Sequence, residues 1–364
     1  MNTLKNCLRY VLLALPLLFF ACKDKDPGPD TDDVVYVGSV DKKLYALDAA
    51  TGSKKWEFLT GGTVYNDAAF SNGVVYVGSY DTKLYALDAT TGTKKWEFTT
   101  GGQIYSSPAV SNGVVYVGSY DTKLYALDAA TGTGKWVFLA GGRIRSSPVV
   151  SNGIVYIGSD DFKVYALDAA TGTKKWEFLT GAPIDASPII SNGIVYVGSI
   201  DKKLYAIDAT IGTKKWEFLT GGNIYGTAAV SNGVVYVGSF DGKCYALDAT
   251  TGAKKWDYTS SPSVSGYGVS VANGIVYFAG NTGGKQYALD AATGTKKWEL
   301  ATVGSTYYST VSNGVFYAGS SDGKLYVTDA VTGTGKWTFS GGAFTGKPCV
   351  VTKQGKVVRG NPGD

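Results

Sequence analysis

The chain runs to 364 residues, with 34 Lys and Arg against 30 Asp and Glu and a net charge of +4. The charges are spread through the whole length, which excludes a basic nucleic-acid stripe; no nucleic-acid partner is expected. Histidine is absent. That removes Ser-His-Asp and Cys-His nucleophile systems and every histidine-ligated metal site.

In chain order, residues 1–21 read as a lipoprotein signal peptide. Lys5 and Arg9 form a basic start, and residues 10–21, YVLLALPLLFFA, form an apolar stretch too short to span a bilayer comfortably. The run Leu18-Phe19-Phe20-Ala21-Cys22 resembles a bacterial lipobox, which implies cleavage before Cys22 and lipidation of it. Residues 22–33 are then the lipidated cysteine and a flexible tether, charged and without an apolar position after Ala21-Cys22. Lys23 follows the cysteine where an Asp would signal retention at the inner membrane. The expected place is the bacterial cell envelope, as an outer-membrane lipoprotein facing the periplasm or the cell surface.

From residue 34 the chain repeats itself. Eight tryptophans, Trp56, Trp96, Trp136, Trp176, Trp216, Trp256, Trp298 and Trp337, recur with a period near 40. Short apolar runs at that period predict a β-propeller, one four-stranded blade per repeat. In the third repeat, strands are expected at residues 104–110, 114–119, 123–128 and 135–139. Asn112-Gly113 suits a type I′ hairpin. Consecutive apolar residues, as in Val-Val-Tyr-Val, require both strand faces to be buried. The expectation is an all-β fold: a single eight-bladed propeller of four-stranded antiparallel blades over residues 34–364. Residues 344–351 would close the ring by joining the blade begun at Val34. A further strand-like run, 356–360, either adds to that blade or competes with residues 34–39. Cys244 and Cys349 fall in different repeats and read as small buried residues rather than as a disulfide.

Ala86-Leu87-Asp88-Ala89-Thr90-Thr91-Gly92-Thr93-Lys94-Lys95-Trp96 fits AxDxxTGxxxW. It resembles the tryptophan-docking motif of the pyrroloquinoline-quinone-like, quinoprotein-type propeller repeats, and the resemblance covers essentially residues 34–351. It implies that each tryptophan is structural and ties neighbouring blades together. Some members of that family are quinone-dependent dehydrogenases, with adjacent cysteines and an acid-rich calcium site. Neither feature is present in this sequence, so no cofactor is expected; pyrroloquinoline quinone with calcium belongs only to the alternative of a dehydrogenase-like enzyme. The chain is more similar to the non-enzymatic branch, lipidated propellers of outer-membrane β-barrel assembly, which implies a scaffold for envelope proteins.

Repeated positions cannot distinguish one blade from another, so a site is sought where the copies differ. The Ser-Asn-Gly and Asp-Ala-x-Thr-Gly turns hardly vary and share one face of the disc. The opposite face carries the varying positions. After the second strand they are Val40, Tyr80, Tyr120, Asp160, Ile200 and Phe240; entering the first strand they are Tyr65, Tyr105, Arg145, Asp185, Tyr225, Tyr267 and Tyr308, joined by Arg143 and Asn66-Asp67. A tyrosine-rich ring suits recognition, because tyrosine gives area and a hydroxyl at little entropy cost. Alanine at Tyr105, Arg145 and Tyr225 together is expected to abolish partner capture and leave thermal unfolding nearly unchanged. A glycan stacking on these rings is a third reading.

Overall fold

The computed structural model describes residues 32–260, 268–279, 284–344, 346–353, 355 and 357–358. Eight antiparallel sheets form the blades of a ring, seven of four strands and one of five. Within blade five the strands are Ile189–Ser191, Ile194–Gly198, Lys203–Asp208 and Lys214–Leu219. The two middle strands are buried on both faces, while the fourth, at the outer rim, alternates exposed and buried. The apolar core therefore lies between blades: Leu204 of blade five packs with Ile224, Val235 and Val237 of blade six.

Asn112 and Gly113 take φ of 50° and 73°, the paired positive values of a type I′ turn. Ala89 N donates to Gly73 O, so the two invariant turn types meet on one face. Tyr80 N donates to Thr63 O, which joins the two varying connections on the other.

Two expectations need correction or completion. The first strand is shorter than the sequence suggests: only Ala109–Ser111 pairs in blade three, and residues 104–108 run outside the ladder. The side chain does the work of the ladder there. Ser106 Oγ accepts from Gly118 N at 3.2 Å, and Pro108 has no N–H to give. The second point settles the open choice at the C-terminus. Cys349–Val351 pairs with Val34–Tyr36 and closes the ring, and Val357–Val358 adds to the same blade on the other side of Cys349–Val351. The first strands line the axis, so this hairpin stands inside the ring. Lys353 N, at its turn, donates to Asp33 Oδ1, which puts the hairpin at the invariant-turn end.

Candidate functional site

The invariant motif makes blade-to-blade contacts. Trp56 Nε1 and the Tyr36 hydroxyl, both in blade one, donate to the same carbonyl, Ala89 O of blade two, at 3.0 and 3.1 Å. Asp88 Oδ1 accepts from Thr90 N, Thr91 N and Thr91 Oγ1, which fixes the turn. Gly92 sits at φ 73°, and a Cβ there would lie 2.7 Å from the Trp56 ring, so glycine is needed for backbone and packing alike. Trp337 Nε1 donates to Ala49 O at 3.2 Å and carries the same tie across the closure.

The opposite face has an inter-blade clamp that the repeat reading passed over. Asp81 Oδ1 accepts from Lys83 N, and Asp81 Oδ2 accepts from Tyr85 Oη and from Gly61 N of the preceding blade. Its signal was visible: an aspartate follows every variable position after the second strand, from Asp41 to Asp241.

Between these clamps the varying side chains meet in pairs, one from each connection of a blade. Tyr65 faces Tyr80 with ring centroids 4.6 Å apart, and Tyr105 stacks on Tyr120 at 6.3 Å. Tyr65 and Tyr105 lie 6.0 Å apart across the blade boundary, so the four rings form one shelf. Burial and the neighbouring Tyr120 push the Tyr80 hydroxyl well above its ordinary range. Arg143 and Arg145 both stand over the Tyr120 ring, at 5.4 and 5.5 Å. In blade four the pair is Arg145 with Asp160, at 3.5 Å, and Arg145 also reaches Asp185 of blade five at 3.1 Å. Burial raises the Asp185 carboxyl against the pull of Arg145. In blade six Tyr225 packs edge-on against Phe240 at 4.8 Å, and Asn223 donates to the Tyr225 hydroxyl. Tyr308 lies beside Gly268. Tyr267 falls outside the described residues.

Two members of the set are engaged in structural contacts. Asn66 is 2% exposed and bonds Ile104 O and Gly78 N, a structural role. Arg145 holds two carboxylates, so removing it would leave Asp160 and Asp185 without their cation, and Arg145→Ala is expected to lower stability. Arg143, exposed and over Tyr120, is the arginine to vary instead.

The shelf opens into a cavity of about 640 Å³ along the axis. Its mouth is lined by Tyr65, Tyr105, Arg145, Asp185, Tyr225 and Tyr308. Below them Asp67, Ser107, Ser147, Ser187 and Thr227 form a polar belt, followed by Phe70, Val110, Val150, Ile190 and Val230. The belt is also an inter-blade seam: Asp67 N donates to Ser107 Oγ, Ser107 N to Ser147 Oγ and Ser147 N to Ser187 Oγ. Lys347 N donates to Asp67 Oδ1 and continues the seam to the closing blade.

Comparison with known proteins follows from this geometry. The family model described as "Beta-alanine-activating enzyme, beta-propeller" matches residues 111–361. The chain belongs to that β-propeller family. A second model, described as outer membrane protein assembly factor BamB, matches residues 41–144 of this family member. No curated protein matches the sequence. Among solved structures, BamB from Moraxella catarrhalis is similar at 22% identity, covering 84% of this chain and 94% of that one, with a TM-score of 0.71. The computationally designed Ika8 protein is similar at 18% identity, covering 81% and 95%, with a TM-score of 0.71. Quinohemoprotein alcohol dehydrogenase from Comamonas testosteroni is similar at 17% identity, covering 79% and 70%, with a TM-score of 0.68. These likenesses establish the propeller fold and its kinship in architecture to quinoprotein-type repeats. The quinone–calcium group of the dehydrogenase alternative meets a poor donor set. Asp160 and Asp185 are already held by one guanidinium, and among the described residues no group of three His, Cys, Asp or Glu gathers to hold a metal.

Proposed function

We propose that the protein is a non-catalytic scaffold of the bacterial cell envelope, anchored to the outer membrane by lipid on Cys22, which docks other envelope proteins on its tyrosine-rich face. Assembly of outer-membrane proteins is the setting that the likeness to BamB favours. The observation that carries this reading is the split between faces. One face repeats nearly the same turns from blade to blade, and the other gathers Tyr65, Tyr80, Tyr105 and Tyr120 into a continuous shelf with Arg143 beside it. Aromatic rings with an arginine are the groups that dominate protein interfaces.

Chain geometry is consistent with it. Asp33 accepts from Asn313 and Lys353 at the invariant-turn face, so a tether of residues 22–33 leaves from there. Fully extended, such a tether spans about 40 Å, and Asp33, where it would join the propeller, lies on the face opposite the tyrosines. The signal peptide and Cys22 lie outside the described residues.

The test is capture from detergent-solubilised envelope with the full chain as bait. The wild type should retain a defined partner, and Tyr105→Ala, Arg143→Ala and Tyr225→Ala together should lose it with a Tm within a few degrees of the wild type. Equal capture by both baits would overturn the docking reading. A bait with Cys22→Ser should lose membrane attachment; continued attachment would overturn the anchor.

A further inference from the structure

We propose that the axial cavity beneath the tyrosine shelf binds a neutral oligosaccharide, a function separate from protein docking on the surrounding face. The wall chemistry comes first. Tyr65, Tyr105, Tyr225 and Tyr308 offer flat apolar rings that carry hydroxyls, which suit a sugar's mixed C–H and O–H faces. Polar groups stand at the same level and just below. Carboxylate oxygens of Asp67 and Asp185 stand there to take hydroxyl hydrogens, and the Arg145 guanidinium can donate to ring or hydroxyl oxygens.

Charge and backbone then narrow the ligand. Among the described residues the cavity is lined by two cations, Arg145 and Lys347, and two anions, Asp67 and Asp185, so neither an anionic nor a cationic ligand gains from a net field there. A peptide strand would need open backbone donors on the wall. Those of Asp67, Ser107, Ser147 and Lys347 are taken by the neighbouring blade, and Pro108, Pro148, Pro188 and Pro348 have none. Recognition at the level of the belt therefore goes through side chains. Size agrees: about 640 Å³ lies within the usual small-ligand range and has room for about two or three pyranose rings. The platform is also fixed in advance, because its rings rest on one another and Arg145 is tied to two carboxylates.

The experiment is a glycan array probed with the purified full chain in detergent, followed by calorimetric titration of any series that binds. The array carries malto-, cello-, manno- and N-acetylglucosamine oligomers beside sialylated and sulfated controls. At least one neutral series should bind, with affinity rising to about the third ring and then flat. Tyr105→Ala and Tyr65→Ala should each weaken it at least tenfold, and Tyr105→Phe should keep most of it. Leu179→Ser, on the outer rim, should leave it unchanged. Binding by the charged controls alone, no neutral binding, or binding indifferent to Tyr105→Ala would each overturn the proposal. No protein partner enters this assay, so its failure and the failure of the docking reading are separable.

Discussion

Blades five and six share a seam with the same strand plan as that between blades seven and eight, but the interiors differ. In the first, Leu204 and Ile224 lie in one apolar cluster, and the Tyr196 hydroxyl donates to Ala249 O at 2.9 Å. In the second, Gln286 takes the slot of Leu204 and Thr306 that of Ile224. Both are fully buried, and the Gln286 amide and Thr306 Oγ1 have no hydrogen-bond partner. Further on, Thr328 stands in the slot that Leu247 fills in the first seam, with its hydroxyl unpaired, while the Tyr277 hydroxyl keeps its bond to Ala330 O at 3.0 Å. At the closing seam between blades eight and one, the Tyr317 hydroxyl has no partner. Each such orphan removes about 1–3 kcal/mol relative to a satisfied or apolar equivalent. A repeat protein is roughly a sum of blade and seam terms. Among the described residues, the regular apolar seams therefore carry the ring, and the seam between blades seven and eight is weakened by Gln286, Thr306 and Thr328.

Substitutions can break or sharpen that contrast. The largest effect should come from the tryptophan tie: Trp176→Ala, with an indole only 8% exposed, should cost about 3–5 kcal/mol in denaturant unfolding. Trp337→Ala should cost less, since its ring is more exposed and its bond to Ala49 O is longer, 3.2 Å against 3.0 Å for Trp176 to Ala209 O. Equal losses would mean that the closing seam between blades eight and one is tied as firmly as the regular seam between blades four and five. Next, Gln286→Leu should stabilise by about 1–3 kcal/mol by removing two orphaned polar atoms, and Leu204→Gln should destabilise at least as much. A destabilised Gln286→Leu would mean that the amide has a partner. Smaller still, Tyr196→Phe should cost about 1 kcal/mol while Tyr317→Phe is near neutral.

The smallest effect is one of pH, on the variable face. Burial raises the Asp185 carboxyl in the folded state, so the folded protein holds a proton there to higher pH than the unfolded chain does. Stability should then fall as pH rises from the ordinary carboxylate range through the raised value. Asp185→Asn should flatten the Tm profile in that window; an unchanged profile would contradict the assignment.

Blade number, strand order and ring closure were legible because the motif fixes its own neighbours: Asp88, Gly92 and Trp96 each serve a contact that any blade needs. The first strand was misjudged because residues 104–108 carry apolar residues for the inter-blade core while a side chain replaces their ladder. Pairing within the variable set was not legible. It depends on two connections of one blade, such as Arg145 and Asp160, meeting across fifteen residues of strand and turn. Gln286 was readable as a polar residue in a slot that Leu, Val or Cys fills in other blades. The repeat hides such a residue when it is read only for what recurs.

The central claim is that the recurring positions hold the ring and the differing ones meet partners. Hydrogen exchange of the full chain, alone and with its captured envelope partner, tests it most directly. The account predicts new protection at residues 120–122 and 141–145 and at their counterparts on the tyrosine face. Protection confined to residues 111–113 and 129–133, the invariant turns on the other face, would contradict it.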